Sequence, residues 1–308
     1  MHKPYYDLHH AASRNNVPAM KQLVKNGRRL DHKDRSGCTA LHYAAGYNAI
    51  DATRWLIDRG AYVDSVAGYP DKHDGRTPLH FAAENHATDA GRLLIDSGSV
   101  INAESDDGDT PIYLAIMNNA AGIVRLLIEN DVSVNERIST DLHGFSIFRS
   151  EPFIEAFGIE INSDTNYTWL HMAAGYNASD VVLALIENGM DVDARVSSYL
   201  VHSPGYSRPI DEDLNHSITP LHIAVCCFAA DAVRALIDNG ADVDVQYKAR
   251  PFSGSGLYAA CTASELCDAI YYEHYSHHSG DRLSFDKIHD RIRELLKSEH
   301  NDSQRNDG

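Results

Sequence analysis

A spacing that never varies is the strongest constraint on what this chain can fold into. Thr39 and Asp64, Thr77 and Asn102, Thr110 and Asn135, Thr168 and Asp193, and Thr219 and Asp244 each stand twenty-five positions apart. Each interval opens on a similar stretch, "TALHYAA", "TPLHFAA", "TPIYLAI", "TWLHMAA" or "TPLHIAV", and continues into a second apolar pattern such as "RWLIDRG" or "RALIDNG". Two copies share the six residues AAGYNA, ending at Ala49 and Ala178. Residues 8–31 follow the same frame without its Thr. A catalytic motif is seldom copied within one chain. A structural unit that can bury its apolar face only against its neighbours is copied as a matter of course.

The unit's local structure follows from its residue types. Thr caps a helix N-terminus well and Pro suits the first helical position, so a short helix starts at Thr77-Pro78, Thr110-Pro111 and Thr219-Pro220. Leu and the Ala pair fall three to four apart, on one face, and the small Ala lets neighbouring helices approach closely. A second helix ends at a Gly such as Gly60, where a left-handed residue is wanted. Asn48 and Asn177, with Asn15 and Asn119 at the same offset, stand between the two helices. Asn tolerates the left-handed backbone that such a turn needs. Exchanging Asn48 or Asn177 for Gly is therefore expected to cost little.

These Thr-Leu-His frames resemble the ankyrin repeat. The resemblance covers residues 7–244 in six units, with a degenerate seventh near 262–297. It implies an all-α ankyrin-repeat solenoid of helix-turn-helix units with β-hairpin or loop insertions. The expected repeats lie near 5–35, 36–73, 74–106, 107–140, 165–197, 216–248 and 259–298, in one domain over 1–298 followed by a tail at 299–308. The resemblance also implies that His42, His80, His171 and His222 bond the adjacent hairpin. It points to a non-enzymatic protein-binding role that needs no cofactor.

The departures from regularity are where specific function is expected. Successive threonines are 38, 33, 58 and 51 residues apart, and Thr262 follows after 43, against an ankyrin period of about 33. The Thr-to-Asp core is constant, so the surplus lies after each closing residue, at 65–74, 136–166, 194–216 and 245–258. In the ankyrin family that is the side of the hairpin fingers, beside the concave groove used for partners. Loop 136–166 holds Phe145, Phe148, Phe153 and Phe157 with Ile147, Ile154, Ile159 and Ile161, residue types in which disordered segments are poor. Its piece "SEPFIEAFGIE" reads as a short helix. Loop 194–216 brings Tyr199, Tyr206 and Arg208, types enriched at binding hot spots. On the first helices, Tyr43 and Tyr113 are read as following the Leu-His position, with Tyr47 and Tyr176 at the helix ends. Their polar tips suit half-exposed places lining a groove. Together these residues form the expected partner-binding set.

A net charge of −17 lacks the basic footprint of a general nucleic-acid binder. It suits a basic protein partner, and it equally serves to keep an elongated protein in solution. No apolar run approaches the roughly 20 residues of a membrane helix, and the first residues lack a signal-peptide core. Five cysteines without zinc-type spacing suggest reduced thiols. A cytoplasmic protein is expected. In "YYEHYSHHSGD", His274, His277 and His278 have spacings that a metal can bridge on a helix. The segment also reads as a solvated turn near Gly280, and no metal is assigned. No Ser-His-Asp or paired-carboxylate arrangement can be placed. The expected function is binding of one specific protein partner, as a stoichiometric inhibitor such as the immunity protein of a toxin. The alternatives are an adaptor or secreted effector recruiting host proteins, and a metal-dependent enzyme built around 273–281.

Overall fold

Each Thr frame becomes a pair of short helices joined by a tight turn. The computed structural model describes residues 7–69, 72–73, 75–133, 167–197, 217–249, 259–268, 271 and 286–297. They belong to two compact units, Met1–Ser133 and Val134–Gly308. The first unit contains α1 (Leu8–Ser13), α2 (Val17–Lys25), α3 (Ala40–Gly46), α4 (Ile50–Ile57), α5 (Pro78–Glu84), α6 (Thr88–Asp96), α7 (Pro111–Met117) and α8 (Ala121–Glu129). Like packs on like: α1, α3, α5 and α7 form one row, and α2, α4, α6 and α8 the other. The second unit repeats this with α9 (Trp169–Gly175) on α11 (Pro220–Cys226) and α10 (Ser179–Glu187) on α12 (Ala230–Asp238). Helical residues 263–268 and 286–297 follow.

The capping residues read from the sequence begin these helices. Thr39, Thr77, Thr110, Thr168 and Thr219 are N-caps with extended backbone, and Pro opens α5, α7 and α11. The frame Leu side chains Leu41, Leu79, Leu170 and Leu221 are fully buried, as are the Ala pairs Ala44-Ala45, Ala82-Ala83 and Ala173-Ala174. Burying one such Leu contributes roughly 1.5–3 kcal/mol, and the Ala pairs leave the room in which adjacent first helices meet. Between the helices, Asn15, Asn48, Asn119 and Asn177 adopt φ of 53°, 49°, 56° and 56°. They are the left-handed turn residues expected, with His86 and Phe228 at the same place in two other copies.

Among the described residues, three short antiparallel ribbons stand where the spacing has surplus residues: β1 (Gly68–Tyr69) with β2 (Lys72–His73), β3 (Val196–Ser197) with β4 (Ser217–Ile218), and β5 (Tyr247–Ala249) with β6 (Ala259–Cys261). Their registers pair Gly68 with His73, Val196 with Ile218, and Tyr247 with Cys261. The latter two ribbons close the stems of the insertions that run through 198–216 and 250–258. The fold is thus an all-α repeat stack with hairpin insertions, and the stacked helices hold those stems in place.

Candidate partner-binding surface

The most reactive-looking side chains of the repeat are occupied in holding it together. In α3 the Nδ1 of His42 accepts from the Thr39 amide at 3.0 Å, with the Thr39 hydroxyl 2.9 Å away. The proton therefore sits on Nε2, which donates to the Arg76 carbonyl in the following hairpin at 3.1 Å. His80 repeats this between Thr77 and the Asp109 carbonyl, and His171 between Thr168 and the Ile218 carbonyl. His222 meets Thr219 in the same way. Burial pushes all four imidazoles down to about 4, so they are neutral near pH 7, and His42, His80 and His171 tie one repeat to the next. The thiols of Cys227 and Cys267 are pushed up to about 12 by burial, which removes thiolate reactivity.

The turn asparagines do more than turn the chain. Asn48 Oδ1 accepts from the Ala90 amide in the first turn of α6 at 2.9 Å, and Asn15 Oδ1 does the same for Ala52 of α4 at 2.7 Å. Asn177 Oδ1 takes two amides of α12, those of Asp231 and Ala232, at 3.0 and 2.9 Å. Its Nδ2 donates to the Asp231 carboxylate. Each carboxamide thus caps the second helix of the next repeat. The closing acids act likewise on the hairpins: Asp64 accepts from the Val100 amide, and Asp193 from that of Asp242. The expectation that Asn48 or Asn177 can become Gly at little cost is corrected, because Gly keeps the turn but loses the cap. Asn177→Gly is expected to cost about 1–2 kcal/mol, the value of a helix N-cap, in urea unfolding at pH 7.5. An unchanged midpoint would mean water replaces the carboxamide.

The sequence-selected tyrosines land in three different situations. Tyr47, at the end of α3, is 70% exposed. Tyr176, at the end of α9, is half-buried. Tyr43 is half-buried and donates its hydroxyl to Asp34 at 2.6 Å, its ring set edge-on to His9. Tyr113 requires a correction: it is only 4% exposed. Counted from Thr110 it occupies the position that His42 holds after Thr39, so it fills a core slot and does not line a groove. Phe145, Phe148, Phe153, Phe157, Tyr199, Tyr206 and Arg208 lie outside the described residues, as do His274, His277 and His278. Among the described residues no group of three or more His, Cys, Asp or Glu could hold a metal ion, and no helix is long and apolar enough to cross a membrane.

One feature escapes motif reading. The first hairpin, after α2, gathers Arg28, Arg29, Lys33 and Arg35 around a cavity of about 290 Å³. The signal is present as a charge tally: residues 1–36 carry a net +5, against −22 for the rest of the chain.

The comparisons with known proteins agree with this architecture. The family model described as ankyrin repeats in three copies matches residues 5–67, 65–138 and 159–247. A putative ankyrin repeat protein of Acanthamoeba polyphaga mimivirus is 37% identical over 54 residues, which is 18% of this chain and 7% of the viral protein. The chain thus matches only a small part of that curated relative. The crystal structure of the human ASB11 ankyrin repeat domain superposes with a TM-score of 0.55 at 20% identity, covering 87% of this chain and 97% of that one. Ankyrin repeats generally mediate protein–protein interaction and are typically non-enzymatic. With its frames, their bonds and the family match over most of its length, this chain belongs to the ankyrin-repeat family.

Proposed function

We propose that this protein binds one specific protein partner through loops 136–166 and 194–216, with Tyr47 and Tyr176 as further contacts on the helix ends. The observation that carries this reading is a division of labour. The frame's His, Asn and Asp side chains are spent on bonds between repeats and its Thr side chains on seating those His, whereas the surplus sequence, rich in aromatics, falls between the frames. Aromatic and Arg side chains dominate binding hot spots because they bury large areas. The net charge of −17 favours a basic partner and would speed its encounter. A stoichiometric inhibitor, such as the immunity protein of a basic toxin, fits a shape defined by unequal loops.

The test is affinity capture from the source organism, followed by reconstitution with the partner found. We expect a 1:1 complex in light scattering and an association rate that falls about tenfold or more between 50 and 300 mM salt, as for steered association. If the partner is an enzyme or toxin, its activity is expected to fall to near zero at one equivalent. Several partners at substoichiometric levels, or a salt-independent rate, would contradict the proposal.

A further inference from the structure

We propose that the cavity of the first hairpin binds a phosphoryl-type oxyanion. Several exposed cations of the first unit, Lys21, Lys25 and Arg54 among them, form no ion pair among the described residues, so what marks the first hairpin is that it gathers four cations around one cavity. In this same unit Arg76 meets Glu84 and Asp109, and Arg92 meets Glu129. Arg28, Arg29 and Arg35 are exposed and form no ion pair among the described residues, although all three line the cavity. Lys33 lines it as well, giving one bond to the Val66 carbonyl at 2.7 Å and keeping its charge.

The two carboxylates of the lining are already engaged. Asp34 accepts from the Ser36 and Cys38 amides at 2.8 and 3.0 Å through Oδ1, and from the Tyr43 hydroxyl through Oδ2. Burial alone would raise its carboxyl, but these bonds together hold it below the usual range. Asp7 caps α1 by accepting from the His10 amide at 2.8 Å, and its other oxygen faces Nδ1 of the buried His9 at 3.6 Å. His9 in turn bonds the His32 carbonyl at 2.9 Å, which fixes the hairpin backbone that carries the cations. Four cations thus face the space with both acids engaged elsewhere.

Guanidinium forks match the oxygens of a tetrahedral anion, and several together favour a dianion over a monoanion. The acidic remainder of the surface does not prevent this, because charges beyond about 10 Å are largely screened at 0.1 M salt. The volume of about 290 Å³ exceeds a bare phosphate and sits at the lower edge of ligand pockets, roughly 300 Å³. It suits a phosphorylated side chain or a small phosphorylated molecule.

The experiment titrates the full chain with inorganic pyrophosphate by calorimetry at about 0.1 M ionic strength, where the acidic remainder is screened. It compares a variant carrying Arg28→Gln, Arg29→Gln and Arg35→Gln with one carrying Lys21→Gln, Lys25→Gln and Arg54→Gln. The second set removes equal charge from exposed sites outside the cavity. We expect one site per chain, weakened at least tenfold in the first variant and less than twofold in the second, with unchanged melting temperatures. The single exchange Arg29→Gln, expected to weaken binding about threefold or more, supplies the comparison if the triple variant folds poorly. A blocked phosphoserine tripeptide and glycerol phosphate then distinguish the source: the tighter of the two indicates whether the group arrives on a protein or free. Equal weakening in both charge variants, or no saturable binding of pyrophosphate, would overturn the assignment.

Discussion

Lowering the pH from 7.5 to 5 is expected to destabilise this protein steeply, before its carboxylates begin to titrate in bulk. His42, His80, His171 and His222 are at most 1% exposed, and burial lowers each from an ordinary 6.5 to about 4. Above pH 6.5 these side chains are neutral whether the chain is folded or not, and stability does not depend on them. As the pH falls through 6.5 the unfolded chain takes up protons that the folded one refuses, so stability drops with pH. The loss ends near pH 4, where the folded state also protonates. Each histidine contributes a slope of up to about 1.4 kcal/mol per pH unit. The first unit holds two of them and so does the second. The depressed carboxyl of Asp34 adds its own loss only at lower pH, below the ordinary 3.8. Urea unfolding at pH 7.5, 6 and 5 measures this directly, and proton uptake on unfolding should approach one per buried histidine. A midpoint that stays constant from 7.5 to 5 would show that these rings accept protons while folded.

The second large effect is expected from Gly37→Ala. Gly37 sits at the tip of the first hairpin with φ +71°, and a Cβ there would overlap the backbone N, C and O of Gly68. The Gly68 amide donates to the Ser36 carbonyl at 3.1 Å, so the two hairpins meet backbone to backbone. No side chain can swing aside; one hairpin must move. Gly60, with φ +80° and nothing within 4 Å of its Cβ position, supplies the control. Gly60→Ala carries only the left-handed penalty of about 1–2 kcal/mol. Gly37→Ala adds an overpacking cost of about 1–3 kcal/mol, for a total near 3 kcal/mol. Equal losses in the two variants, read from denaturant midpoints, would mean that the hairpins slide apart freely.

Much of this molecule is legible in its sequence because the same physics is written several times. One Thr followed by Pro is a weak hint of a helix start. Five such threonines in register, three of them before Pro and each closing on Asp or Asn after the same interval, leave few folds open, and the left-handed Asn48 and Asn177 follow from the same alignment. What the sequence hid were bonds between copies. Nothing local to Asn177 says that its carboxamide reaches two amides fifty-four and fifty-five residues onward. Tyr113 misled for a related reason. Its neighbours suggested a surface helix position, whereas its count from Thr110 places it in the slot of the buried histidines. The cation cluster at 28–35 leaves no trace in the net charge of −17, because the acidic remainder of the chain hides a local excess.

The account rests on a separation between repeated residues that hold the stack and inserted residues that recognise a partner. Deleting residues 140–160 tests that separation most directly, with helical unfolding by circular dichroism and partner capture read on the same preparation. The account predicts an unfolding curve close to that of the intact chain, since stability resides in interfaces between repeats, together with loss of the captured partner. A collapse of the helical signal, or undiminished capture by a folded variant, would contradict it.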